Sequence, residues 1–244
     1  MQTTGNTILI TGATSGIGLA FAGEFYKLKN KVIICGRRTD RLNTITQNHP
    51  GMIARACDVS DDQERKLLAE WVIREYPEVN VLLNNAGVQY AFNLLHETDV
   101  KKVREEIETN LTAPIHLSSL FANHLSKKRH AAIINISSGL AFVPLSFMPV
   151  YCATKAALHS FTMSLRFQLK DTPVSVFEII PPMVDTELGH DRRPDKSQMH
   201  GGIPVEEFLD EAMVGITNNT FEFAVGASKN LREKSEQMFY VLNK

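Results

Sequence analysis

Tyr151 and Lys155 stand four residues apart in the segment Tyr151-Cys152-Ala153-Thr154-Lys155. On a helix, positions i and i+4 share a face, so a phenol and an ammonium at this spacing converge on one small volume. A tyrosine phenol ordinarily titrates near pH ~10; a neighbouring cation favours the phenolate and draws the group toward working pH as an acid or base. Alone, the Tyr-x-x-x-Lys pattern is common by chance. Its weight comes from Ile133-Ile134-Asn135-Ile136-Ser137-Ser138, a β-branched run ending in hydroxyls shortly before the tyrosine. A serine at that strand end can reach the oxygen of a substrate that exchanges a proton with the phenol.

A second constellation lies near the N-terminus, in Thr11-Gly12-Ala13-Thr14-Ser15-Gly16-Ile17-Gly18. Glycines at 12, 16 and 18 predict a tight turn between a strand and a helix. The missing side chains let backbone approach a pyrophosphate, whose charge then meets the N–H groups at the helix start. The spacing is GxxxGxG and not the commoner GxGxxG. A merely tight strand-to-helix connection is the plainer reading, and the position directly after the first strand argues against it.

The second strand closes Ile34-Cys35-Gly36-Arg37-Arg38. A dinucleotide site often carries an acid here for the adenosine ribose 2′-hydroxyl. Gly36 supplies none, and two guanidinium groups follow, which suit a 2′-phosphate. The expectation is an NADP(H) preference, with Arg37 weighing more because it stands nearer the strand. Solvated surface arginines are the alternative.

These groups need elements to hold them. Short β-branched runs at 7–11, 32–35, 53–57, 81–83, 133–136, 174–180 and 221–225 alternate with helix-like stretches at 16–28, 40–47, 61–76, 100–127 and 150–170. That alternation predicts a doubly wound, Rossmann-type α/β fold: a parallel sheet with helices on both faces. Pro114 marks a kink or boundary inside the longest helical stretch. No repeat or composition shift divides the chain, so residues 1–244 read as one domain. The charged, Gly- and Pro-rich segment 182–204 reads as a substrate lid.

Composition narrows the function. The 26 basic and 27 acidic side chains nearly cancel, which argues against nucleic acid as a partner. No apolar run approaches the ~20 residues of a spanning helix, and no signal peptide is expected. Cys35, Cys57 and Cys152 are sparse and widely spaced, as reduced thiols of a cytoplasmic protein are. Eight histidines, at 49, 96, 116, 124, 130, 159, 190 and 200, form no HxxxH or HExxH, so no metal is expected. His190 and His200, inside the lid, are the two with a chance of touching substrate.

Taken together, TGATSGIG, Asn84-Asn85-Ala86-Gly87, Asn110 in ETNLTAP, NISS, YCATK and PPMVDT resemble the short-chain dehydrogenase/reductase superfamily in its single-domain branch. The resemblance runs from about Thr7 to Thr186. It implies that Ser138 orients the substrate oxygen, Tyr151 exchanges the proton, and Lys155 binds the nicotinamide ribose and lowers the tyrosine pKa. It implies that Asn110 holds a water linking Lys155 to solvent. Asp58 and Val59 would contact adenine. Asn85, Ala86 and Gly87 would lie along the adenosine side, and Val184 and Thr186 would fix the carboxamide. The family usually has Pro-Gly where this chain has Pro181-Pro182; that pair resembles a subgroup of bacterial oxidoreductases associated with teichoic-acid D-alanylation operons. The implied activity is hydride transfer to or from a small carbonyl or alcohol substrate, in a homodimer or homotetramer built on the 100–127 and 150–170 helices. A cofactor-binding regulatory protein with little turnover is the rival from another class, and the intact Asn110, Ser138, Tyr151 and Lys155 set speaks against it. Sugar-nucleotide epimerases or dehydratases usually carry a longer C-terminal substrate region than this chain has.

Overall fold

A computed structural model of the chain describes residues 1–189 and 201–244. Seven strands, β1 (Thr7–Thr11), β2 (Lys31–Gly36), β3 (Ile53–Ala56), β4 (Val81–Asn84), β5 (Ala131–Ile136), β6 (Val174–Ile180) and β7 (Glu222–Ala224), form one sheet in the order β3-β2-β1-β4-β5-β6-β7. Every neighbouring pair is parallel. Parallel strands are covered on both faces, and β1, β4 and β5 accordingly bury every residue. Side chains alternate across the pleat. Ile8 and Ile10 join a core with Phe21 and Phe25 of α1 (Gly16–Lys27) and Phe208 of α7 (Val205–Thr217). Leu9 joins the opposite core with Leu68 and Val72 of α3 (Asp62–Glu75) and Phe121 of α5 (Ala113–Leu125).

The expected α/β architecture is therefore present, and the strand order reverses between β1 and β4. A crevice at the carboxyl ends of the strands at such a point is where open α/β sheets bind ligands. The remaining helices are α2 (Thr39–Asn48), α4 (Val100–Ile107), α6 (Pro149–Gln168), α8 (Ser228–Lys234) and α9 (Phe239–Leu242). The C-terminal helices α7, α8 and α9 lay outside the sequence reading.

The 100–127 stretch is not one regular helix. Between α4 and α5 stands a π-helical turn, Glu108–Thr112, closed by a bond from the Ala113 N–H to the Glu108 carbonyl. Pro114 follows at the start of α5. Proline has no N–H to give the carbonyl four residues back, which is that of Asn110. The kink expected at Pro114 is thus a widened turn just before it.

The segment read as a lid leaves the sheet at β6 and closes at its base. Val184 bridges Ile203, the Asp185 N–H donates to the Ile203 carbonyl at 2.9 Å, and the Ile203 N–H donates to the Met183 carbonyl at 3.0 Å. Residues 190–200, with both lid histidines, lie outside the described residues. All three cysteines are free and buried. Among the described residues no helix is long and apolar enough to cross a membrane.

Candidate active site

Strand β5 delivers Ser138 just past its last residue. There the serine caps the short turn Gly139–Ala141, its Oγ accepting from the Leu140 N–H at 3.1 Å. Helix α6 opens with Pro149, whose fixed φ suits a first turn. It then carries Tyr151 and Lys155 on the face turned to the sheet, at 6% and 4% exposure. The lysine ammonium donates to the Ile136 carbonyl at 2.9 Å and lies 5.6 Å from the centre of the tyrosine ring. Burial pulls its pKa down to about 8, against a smaller upward pull from Glu178. Leu140, Leu145 and Met148 pack beside Tyr151 as an apolar wall.

Asn110, in the π-helical turn, is fully committed through its side chain. Its Oδ1 accepts from the Val88 N–H at 2.9 Å, and its Nδ2 donates to the Val88 carbonyl at 2.8 Å and to Thr154 Oγ1 at 3.3 Å. A β-carbon on Gly87 would stand 3.4 Å from Asn110 Oδ1 and 3.9 Å from Lys155 Nζ. Gly87, Asn110 and Lys155 therefore meet around one spot. A small cavity borders Asn110, Pro114, Ile136 and Lys155 there.

The glycine turn lies at the other side of the strand-order reversal. Gly12 has φ +65°, and a β-carbon on it would come within 2.6 Å of the Ala86 backbone. At Gly18 the obstruction would be Asn85 Nδ2 and, at 2.7 Å, the Gly12 carbonyl oxygen. Only glycine fits either position. Thr11 ties the two segments together: its Oγ1 accepts from the N–H groups of Asn85 and Ala86 at 3.0 and 3.1 Å. Gly16 packs against Thr186, which brings the segment after β6 onto the turn. Ser15, the residue preceding α1, makes no side-chain bond to the helix amides, so with Gly16 and Ile17 it leaves that helix end to an external acceptor. Asp58 and Val59 follow β3; Asp58 Oδ1 accepts from the N–H and the hydroxyl of Ser60, and Val59 is buried.

The two arginines after β2 diverge. Arg37 turns to Glu105 on α4, at 2.8 Å, with Asp58 at 3.8 Å. Tyr90 also donates to Glu105, and burial and that carboxylate push its phenol up to about 12. Arg38 instead folds over the glycine turn, donating to Thr14 Oγ1 at 3.0 and 2.7 Å and to Ser15 Oγ at 2.6 Å. Its Nη1 pairs with Glu187 at 2.7 Å, and Arg41 holds both oxygens of the same carboxylate at 2.7 Å. Carboxylates thus draw Arg37 aside, and Arg38, one residue further from the strand, is the arginine that lies on the turn. The three-residue spacing of Arg41 from Arg38 at a helix start puts both on one face. Glu187 carried no signal, being 146 residues from Arg41.

A second cluster has no signature in the sequence. Glu178 on β6 is fully buried; its Oε2 accepts from His159 Nδ1 at 2.8 Å and its Oε1 has no hydrogen-bond partner. Glu222 is its register neighbour on β7 and pairs with Arg232 at 2.8 Å. The bond to Glu178 raises the His159 pKa, which favours the imidazolium beside the two carboxylates. In the sequence His159 is one of eight histidines and belongs to no HxxxH or HExxH pattern.

A profile of the short chain dehydrogenase family matches residues 6–197. The chain belongs to the short-chain dehydrogenases. It is 46% identical over 248 residues to the uncharacterised oxidoreductase DltE of Bacillus subtilis, covering all of this chain and 98% of that one. Among solved structures it resembles a Sphingobium yanoikuyae short-chain dehydrogenase in complex with NADPH, with TM-score 0.81 and 26% identity over 93% of this chain and 92% of that one. It also shares its fold with a Burkholderia phymatum short-chain dehydrogenase/reductase in complex with NAD, at TM-score 0.85 and 21% identity over 100% and 97% of the two chains. The chain is thus an oxidoreductase of the short-chain type, and the same fold accompanies either dinucleotide. The choice between them rests with this chain's own residues.

Proposed function

We propose that this protein is an NADP(H)-dependent oxidoreductase interconverting a carbonyl and a secondary alcohol, with Tyr151 as the general acid and base. The observation that carries the proposal is the buried Lys155 ammonium, held on the Ile136 carbonyl beside the Tyr151 ring at the strand end that also presents Ser138.

The site suits a dinucleotide. Glycines line the turn, the first amides of α1 lack a side-chain cap, and Arg38 and Arg41 gather donors for a phosphate. When bound, the nicotinamide supplies or accepts the hydride. The chain's own residues do the rest. Ser138 holds the substrate oxygen by a hydrogen bond. Tyr151 gives that oxygen a proton in reduction and removes it in oxidation. Lys155 favours the phenolate electrostatically and binds the nicotinamide ribose. The carbonyl of Asn110, which Pro114 cannot satisfy, holds a water in the adjoining cavity, and the proton lost by Tyr151 is replaced along that path. The Asn110 side chain braces Val88. Asp58 and Val59 flank the adenine, Asn85, Ala86 and Gly87 line the adenosine side, and Val184 and Thr186 fix the carboxamide.

Ile107, Ile115, Met163 and Phe167 are exposed apolar side chains of the α4 to α6 region, and they support a homodimer or homotetramer formed through these helices. The three buried free thiols suit the cytoplasm. The test is NADPH oxidation with a panel of aldehydes and ketones, set beside NADPH binding. Turnover with at least one carbonyl, at higher kcat/KM for NADPH than for NADH, is expected. Tight NADPH binding with no turnover on any carbonyl or alcohol would favour a regulatory protein. Light scattering at micromolar concentration is expected to give at least twice the 27.3 kDa chain mass.

A further inference from the structure

The anion site beside the glycine turn is filled by the chain itself. Arg38 and Arg41 together direct three hydrogen bonds at the Glu187 carboxylate, each 2.7 Å long. The other Arg38 donors lie on the hydroxyls of Thr14 and Ser15, at the opening of α1. Two guanidinium groups and two hydroxyls are what a dianionic ribose phosphate at this strand end would use. The two arginines hold the Glu187 pKa at about 2, so it stays charged throughout the working range. Glu187 directly follows Thr186, which packs on Gly16.

We propose that Glu187 is an internal stand-in for the cofactor's 2′-phosphate, occupying the Arg38 and Arg41 site in the free protein and displaced when a 2′-phosphorylated adenosine binds. This rests on the NADP(H) reading above. A carboxylate and a phosphate repel and compete for the same donors, so they cannot share the pair. A 2′-hydroxyl is neutral and can donate to the carboxylate where it stands. Glu187 therefore handicaps NADP(H) alone and narrows the discrimination that the arginines create. Arg41, and not Arg37, is the second half of the phosphate clamp. Displacement also unpins the backbone next to Thr186, so occupation of the phosphate site is felt at the segment proposed to hold the carboxamide.

The test compares two nucleotides that differ only in the 2′-phosphate, adenosine 2′,5′-bisphosphate and adenosine 5′-monophosphate. Calorimetric titration of the full chain is run on the wild type, Glu187→Gln and Arg41→Ala. Because all three side chains are partly exposed, the changes are modest. Glu187→Gln is expected to bind the bisphosphate roughly fivefold more tightly, with the monophosphate changed by less than about twofold. Arg41→Ala is expected to bind the bisphosphate roughly fivefold more weakly. Unchanged or weaker bisphosphate binding by Glu187→Gln, in a protein whose wild type prefers the bisphosphate, overturns the stand-in and leaves the cofactor reading intact. Equal affinity for both nucleotides in the wild type and in both variants overturns the stand-in and the NADP(H) reading together.

Discussion

The corner holding Ser138, Tyr151 and Lys155 and the corner holding Arg38, Arg41 and Glu187 use charge in opposite ways. In the first, one cation is buried at 4% exposure and leans on a backbone carbonyl. Its position is fixed by a helix face and a strand end, and burial, outweighing the pull of Glu178, lowers its pKa. In the second, side chains about 40% exposed satisfy one another across the crevice. Water and salt screen those pairs, so each contributes little and the arrangement can be exchanged for another anion. Rigid, dry charge suits bond making, and exchangeable, wet charge suits recognition of a cofactor that must leave again.

That contrast can be broken at several points. Lys155→Ala removes the buried cation, and a loss of at least ~10²-fold in kcat/KM is expected, with weaker NADPH binding besides. A variant retaining wild-type rate would place the lysine outside the chemistry. The pH profile is next. Below about 8, Lys155 keeps its proton in the cofactor-free protein; above it, desolvation favours the neutral amine. Carbonyl reduction needs the protonated pair, so kcat/KM is expected to be flat up to about pH 8 and to fall beyond it, by up to tenfold per pH unit. Lys155→Arg, whose guanidinium stays charged, moves that limb upward or removes it.

At the wet corner the effects shrink. Arg38→Ala is expected to raise the KM for NADPH about tenfold while leaving NADH nearly unchanged. Arg37→Ala, whose guanidinium is spent on Glu105, is expected to change either by less than about threefold. Equal effects from the two arginines would dissolve the distinction drawn between them. Gly36→Asp, the obvious way to invite NADH, is compromised by packing, because its β-carbon would meet Thr14 Cγ2 at 2.9 Å. Raising ionic strength from about 0.05 to 0.5 M is expected to raise the NADPH KM a few-fold and leave kcat unchanged.

The same contrast explains what the sequence disclosed. β1 and β6 have the expected ends, and Tyr151 and Lys155 fall on one helix face, because pleat and helix periodicities are local. The tight turn was legible because Gly12 and Gly18 answer to sterics that no other residue satisfies. Partners remote in sequence were not legible. Glu105 claims Arg37 from 68 residues away, and Glu187 claims Arg41 from 146. Both depend on the folded chain bringing surfaces together. His159 and Glu178 met for the same reason, through packing of α6 on β6. The π-helical turn at Asn110 was half visible: Pro114 announced a disturbance without saying that the turn before it would widen.

The proton-transfer role of the phenol is isolated by Tyr151→Phe, which keeps the ring and its packing and removes only the hydroxyl. Single-turnover reduction of a carbonyl substrate and NADPH affinity are measured on the same preparation. The rate is expected to be lower by at least ~10²-fold, with the dissociation constant for NADPH within about threefold of wild type. A variant that turns over at the wild-type rate across the working pH range would show that Tyr151 is not the acid and base.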